Sequence, residues 1–128
     1  MKKTYQAGLL AEGLVKSCYQ NKGYRIIAHR YKCQFGEIDL IAVKNSNNIF
    51  SKFFSGRKNC CTIYFIEVKY RKNNELIESV LRFNQISRIK DAAAIFLSEN
   101  AKYSNCNISF DFATVDKYSN VRIYQNFF

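Results

Sequence analysis

Gly36-Glu37-Ile38-Asp39-Leu40-Ile41-Ala42 and Tyr64-Phe65-Ile66-Glu67-Val68-Lys69-Tyr70-Arg71 decide how this chain reads. Each run is apolar, β-branched and of strand length, so each predicts a buried strand. Each also carries charge inside its apolar stretch. Burying an unpaired carboxylate costs several kcal/mol or more, so such residues need partners or a ligand. Side chains alternate along a strand. Glu67 and Lys69 therefore share one face, with Ile66 and Val68 on the core-facing side. In the first run Glu37, Asp39 and Ile41 share a face, and Ile38, Leu40 and Ala42 take the other.

If these two strands pair as antiparallel neighbours, Asp39 and Glu67 face each other across roughly 5 Å. Two carboxylates that close repel and raise one another's pKa, a conflict that a divalent cation removes. Mg²⁺ takes oxygen ligands at about 2.1 Å and often combines one or two carboxylates with a substrate phosphate. The expected ligands are Asp39, Glu67 and the backbone carbonyl of Val68, with Mg²⁺ or Mn²⁺ as the ion. Lys69, one pleat away, would orient water or stabilise developing negative charge. The alternative is a structural ion-pair cluster at a sheet edge.

Working outward, Thr4 to Gln20 predicts a helix whose apolar stripe is Ala7, Leu10, Ala11, Leu14 and Cys18, ended by Asn21-Lys22-Gly23. Tyr24 to Tyr31 predicts a first strand, residues 37–43 a second and Cys61 to Tyr70 a third. Between the last two, residues 44–60 form a basic, Asn-rich loop insertion. A second helix is expected from about Leu76 to Ser98, with Ile86, Ile89, Ala93 and Phe96 inward. Two strands, Ile108 to Val115 and Val121 to Tyr124, follow. The order α-β-β-β-α-β-β implies an α/β fold, a mixed central sheet flanked by helices, in one domain over residues 1–128.

Composition narrows the partners. The chain has 128 residues and a net charge of +10, from 20 Lys and Arg against 10 Asp and Glu. That balance favours a polyanion, most simply nucleic acid. Richness in Lys, Asn, Ile, Tyr and Phe with no Pro or Trp also marks an AT-rich genome, which inflates lysine by itself. Lys22, Arg25, Arg30, Lys32, Arg57, Lys58, Arg71 and Lys72 are the candidate phosphate contacts. No apolar run reaches the roughly 20 residues that cross a bilayer. The start, Met1-Lys2-Lys3, is basic with no long apolar stretch after it, so a cytoplasmic protein without a membrane partner is expected. The five cysteines contain no Cys-x-x-Cys pair and are expected to be reduced thiols. His29 is expected as a half-exposed strand residue, and Asp111 as a structural acid held by backbone amides.

Together the two strand runs resemble the YraN-like family of uncharacterised, endonuclease-like bacterial proteins, within the restriction-endonuclease-like PD-(D/E)xK superfamily that includes archaeal Holliday junction resolvases. Ala11-Glu12 is similar to that family's Gly-Glu opening, Gly23-Tyr24 to its helix exit, and Phe110-Asp111-Phe112 to its late strand. The resemblance spans nearly the whole chain. It implies a restriction-endonuclease-like sheet and a metal-dependent endonuclease hydrolysing DNA, branched or structured substrates included. It also implies Asp39 and Glu67 on the metal, Lys69 on the water and Glu12 approaching from the first helix. Where the family offers a lysine near the start of its second helix this chain has Gln85, which can hold water or phosphate but brings no charge. Ser109 stands in place of an arginine. The alternative is a non-catalytic nucleic-acid-binding module on a nuclease-like scaffold. Relatives of the resolvase kind commonly work as dimers, so a homodimer is a further expectation.

Overall fold

The computed structural model describes residues 2–45, 61–71 and 82–128. Helix α1 (Lys2–Asn21) leads into three antiparallel strands, β1 (Arg25–Cys33), β2 (Gly36–Asn45) and β3 (Cys61–Arg71). Helix α2 (Phe83–Glu99) and a short 3₁₀ turn (Ala101–Tyr103) precede β4 (Asn107–Asp116), which lies parallel to β3. Strand β5 (Val121–Tyr124) closes the sheet antiparallel to β4, giving the spatial order β1-β2-β3-β4-β5. This is the mixed, helix-flanked sheet of a restriction-endonuclease-like arrangement. No helix among the described residues is long and apolar enough to cross a membrane.

Most expected elements are present. Lys44 and Asn45, assigned from sequence to the insertion, belong to β2, because Lys44 pairs with Thr62 and Asn45 with Cys61. Residues 46–60 and 72–81 lie outside the described residues, and with them Arg57, Lys58, Lys72 and the expected start of the second helix.

Helix α1 ends as Gly23 predicted. Tyr24 N–H donates to the Tyr19 carbonyl and Gly23 N–H to that of Gln20, with Gly23 at φ 87°. That paired geometry needs a left-handed residue, which glycine supplies without strain.

Both faces of the sheet are covered. Ala11, Val15 and Tyr19 of α1 pack on Leu40, Ala42, Ile66 and Val68. On the opposite side Ile89, Ala92, Ala93 and Phe96 of α2 pack on Ile41, Val43, Ile63 and Phe65. The expected α1 stripe is corrected by this packing. Leu10 is 71% exposed and Leu14 37%, while Val15 is fully buried. The helix is turned so that Ala11 and Val15 let its backbone approach the sheet. That rotation also brings Glu12 to β1 and Tyr19 to Asp111.

The cysteine expectation is corrected too. Cys61, the first residue of β3, forms a disulfide with Cys106, just before β4, and so ties the two parallel strands together at one end. Cys18 and Cys33 are free.

Candidate functional site

The site lies where β2 and β3 part company. Their pairing runs from Asn45↔Cys61 to Leu40↔Ile66 and stops there. The next position on each strand would set Asp39 against Glu67. Here Asp39 Oδ2 takes the Val68 N–H at 2.7 Å, so the side chain replaces a ladder bond. The strict alternation expected along β2 breaks at this point. Leu40 and Ala42 face α1, but Ile38 packs with Ile41 and Val43 on the α2 side.

Glu67 is buried, at 5% exposure. Its carboxyl lies close enough to that of Asp39 for the two to influence each other's ionisation. Glu67 Oε1 also accepts from Gln85 Nε2 at 2.6 Å, and Lys69 Nζ stands 3.4 Å from the same oxygen. Burial, and then the Asp39 charge, push the Glu67 carboxyl up to about 8, with Lys69 pulling the other way. Burial raises Asp39 as well, against the Val68 N–H and the neighbouring Glu67 carboxyl, which favour its ionised form. Both carboxyls are thus pushed toward their protonated forms, Glu67 the more strongly, and the two titrate as a unit.

The sequence thus brings Asp39, Glu67, Lys69 and Gln85 together. Gln85, in the first turn of α2, points inward. Glu12 comes close enough for its charge to raise Asp39, yet its carboxylate is otherwise engaged. It is 6% exposed, so it is not a solvated glutamate. Arg30 grips it with two nitrogens, Nε at 2.9 Å and Nη2 at 3.3 Å, and His29 Nε2 lies 2.8 Å from Oε2. Tyr5 completes the group, its hydroxyl accepting from Arg30 Nη1 at 3.1 Å while its ring lies under the guanidinium.

Consecutive residues on a regular strand point to opposite faces, so His29 and Arg30 cannot both reach one carboxylate from ideal β geometry. Two local departures permit it. The β1–β2 register shifts between Ile26 and Ala28, leaving an extra residue on β1, and Arg30 adopts φ 54°. A non-glycine residue in that region is strained and persists only where its surroundings fix it. The Glu12 clamp supplies that fixing. Arg30, a candidate phosphate contact from its sequence, directs its guanidinium onto Glu12 here while staying partly exposed. Nothing in spacing alone signals the clamp.

Of the other expected contacts, Lys32 lies 3.8 Å from Glu37, with the lysine side chain largely in solvent and the glutamate partly so. Lys22 and Arg25 are exposed at the end of α1 and the start of β1, and Arg71 ends β3. Asp111 is fully buried and accepts from the Tyr19 hydroxyl at 2.7 Å, the Ser109 hydroxyl at 2.6 Å and the Asn126 N–H at 3.0 Å. One backbone amide and two hydroxyls thus hold it, where amides alone were expected. Burial and the Asp111 hydrogen bond push the Tyr19 phenol far above its ordinary value.

A divalent cation would meet two converging carboxylates here. Among the described residues no group of three or more His, Cys, Asp or Glu side chains could hold a metal ion. The two acids are oxygen donors of the kind a hard cation takes, and a cation there would relieve the repulsion from Asp39 that helps raise Glu67.

Residues 11–115 match the model of the uncharacterised protein family UPF0102. The chain is similar to UPF0102 proteins of several bacteria. The protein of Mesorhizobium japonicum is 33% identical over 113 residues, 88% of this chain and 78% of the relative. That of Ehrlichia ruminantium is 35% identical over 104 residues, 81% and 68% of the two chains. That of Cereibacter sphaeroides is 32% identical over 125 residues, 98% and 94%.

Proposed function

This chain belongs to the uncharacterised protein family UPF0102, and from that premise we propose that it is a nucleic-acid-binding module on a restriction-endonuclease-like scaffold, with DNA as its first partner. One observation carries the reading. The acids of the candidate site are satisfied from within, Glu12 by Arg30 and His29, Asp39 by Val68 N–H, and Glu67 by Gln85 and Lys69. The chain as a whole still carries +10. A cluster of acids whose negative charge is internally compensated, on a strongly basic protein, presents little to repel phosphates and much to attract them. The test is binding of labelled single-stranded, duplex and branched DNA across a salt series. Affinity that falls linearly on a log–log plot with salt is expected. No binding at physiological salt to any of the three would overturn the reading.

A second reading, metal-dependent phosphodiester hydrolysis, is favoured by the convergence of Asp39, Glu67 and Lys69. Asp39, Glu67 and the Val68 carbonyl would hold Mg²⁺ or Mn²⁺, which when bound supplies charge neutralisation and an acidified water. On this reading Glu67 gives up its proton, Lys69 stabilises negative charge on the phosphate oxygens, and Gln85 orients Glu67 and the water. Glu12 stays with Arg30 and acts only through its charge. The test is Mg²⁺- or Mn²⁺-dependent cleavage of the same DNAs by wild type, Asp39→Ala and Lys69→Ala. Cutting that survives undiminished in both variants would remove these residues from the chemistry.

A further inference from the structure

A second site lies at the far end of β2. Asp39 and Lys44 are five residues apart on that strand, roughly 17 Å at strand rise. Beside Lys44 is a depression of about 450 Å³, lined by Tyr19, Lys22, Tyr24, Lys44, Ile123 and Gln125. That volume falls in the range of small-ligand sites.

The lining carries two cations and no acid. Elsewhere Arg30, Lys32 and Lys69 each face a carboxylate, but among the described residues neither Lys22 nor Lys44 has one within ion-pairing distance. Lys44 is instead fixed by neutral groups. Its ammonium donates to the Lys22 carbonyl at 3.1 Å and sits 4.5 Å from the centre of the Tyr24 ring. An ammonium has three N–H donors, so two remain. A positive charge pre-positioned by neutral partners keeps its attraction for an incoming anion, whereas one in a salt bridge has largely spent it.

The walls are equally well held. Tyr24 stands edge-on between Tyr19 and Tyr64, 4.9 Å from each ring centre. Gln125 Nε2 donates to the Tyr24 hydroxyl at 2.8 Å, which leaves its amide oxygen as an acceptor. Ile123 adds apolar surface. The depression thus offers an anion seat, a flat apolar wall and a hydrogen-bond acceptor side by side.

We propose that this depression seats one nucleotide, with Lys44 and Lys22 on its phosphate and its base against Tyr24 and Ile123. This deepens the nucleic-acid-binding reading and rests on it for the macromolecular partner. The same chemistry is offered by a free nucleoside monophosphate and by one nucleotide of a single strand.

The experiment is an amide NMR titration of the full chain with thymidine, thymidine 5′-monophosphate and a 12-nucleotide thymidine oligomer, paired with oligomer affinities for wild type, Lys44→Gln and Lys22→Gln. Lys22 is exposed, so its variant serves even where Lys44→Gln disturbs folding. The monophosphate or the oligomer should shift Tyr24, Lys44 and Ile123, and thymidine at equal concentration should not. Lys44→Gln should weaken oligomer binding by about tenfold and lower the salt slope by about one. Pocket shifts with the monophosphate alone would assign the site to a free nucleotide; shifts with the oligomer would assign it to a strand. If wild type binds no oligomer, the nucleic-acid reading fails by itself. If wild type binds but both variants bind as tightly, or the shifts fall away from these residues, the pocket assignment is overturned and the wider reading stands.

Discussion

Glu67→Gln tests the central electrostatic claim through folding stability, with no activity assay. Glutamine keeps the shape of Glu67 and its contacts with Gln85 and Asp39, but cannot ionise. In the folded protein Glu67 is raised from 4.5 to about 8, chiefly by burial and next by Asp39. Below pH 4.5 the carboxyl is protonated both folded and unfolded, and the shift has no effect. Between 4.5 and 8 the native chain keeps a proton that the unfolded chain has released. Stability therefore falls as pH rises, by about 1.4 kcal/mol per unit, and levels off above 8. The whole shift amounts to about 5 kcal/mol as a ceiling, because Asp39 shares the titration. Urea unfolding of wild type and Glu67→Gln at intervals from pH 4 to 9 isolates the coupled pair from the other groups that titrate. The two should be similar near pH 4, and Glu67→Gln should be the more stable by several kcal/mol at pH 8.5. A stability difference that stays flat across the range would show that Glu67 titrates in the folded protein as it does in the unfolded chain, and that burial and Asp39 do not raise it.

Three further perturbations probe the frame around that pair. Asp39→Ala leaves the Val68 N–H without its acceptor and should cost about 1–3 kcal/mol in urea unfolding, whereas Asp39→Asn keeps an acceptor oxygen and should cost less. Tyr19→Phe removes one of three donors from fully buried Asp111 and should also lose about 1–3 kcal/mol; an unchanged midpoint would mean the carboxyl finds another donor. Cys106→Ser opens a crosslink spanning 45 residues, whose loop entropy corresponds to about 4 kcal/mol, so its midpoint should match wild type with reductant and fall below oxidised wild type.

The fold was legible because its signals are local. Alternation in residues 36–42 and 64–71, the Gly23 exit and the α2 stripe through Ile89, Ala93 and Phe96 need no knowledge of distant contacts. The approach of Asp39 to Glu67 was legible from the register of the two neighbouring strands, although the ladder ends one residue earlier at Leu40↔Ile66 and Ile38 leaves the face that alternation assigned it. The rotation of α1 was not. Leucines at positions 10 and 14 read as a core stripe, and hydrophobicity alone prefers them to Ala11. Tertiary demands decided otherwise, because a close approach to the sheet favours small residues and because Glu12 and Tyr19 both have polar partners on the strands beneath.

The Glu12 clamp shows why site residues are harder to read than the sheet that carries them. Residue type and face predicted that Asp39 and Glu67 would converge as acids, and the family resemblance implied that Glu12 would approach them. They said nothing of what neutralises each. Arg30 and His29 reach Glu12 only because β1 carries an extra residue and Arg30 leaves the β region, and neither departure has a glycine or proline to announce it. The consequence for function is direct. A free Glu12 would place a third carboxylate beside Asp39 and Glu67 and make the cluster a strong cation trap. A clamped Glu12 leaves two acids with Glu67 raised, so cation entry must compete with its proton and strengthen as pH rises through about 8. Loosening the clamp with Arg30→Gln should then shift Mn²⁺ binding to lower pH only if Glu12 swings toward Asp39. Binding that keeps its wild-type pH dependence in that variant would mean that Glu12 acts through its charge alone.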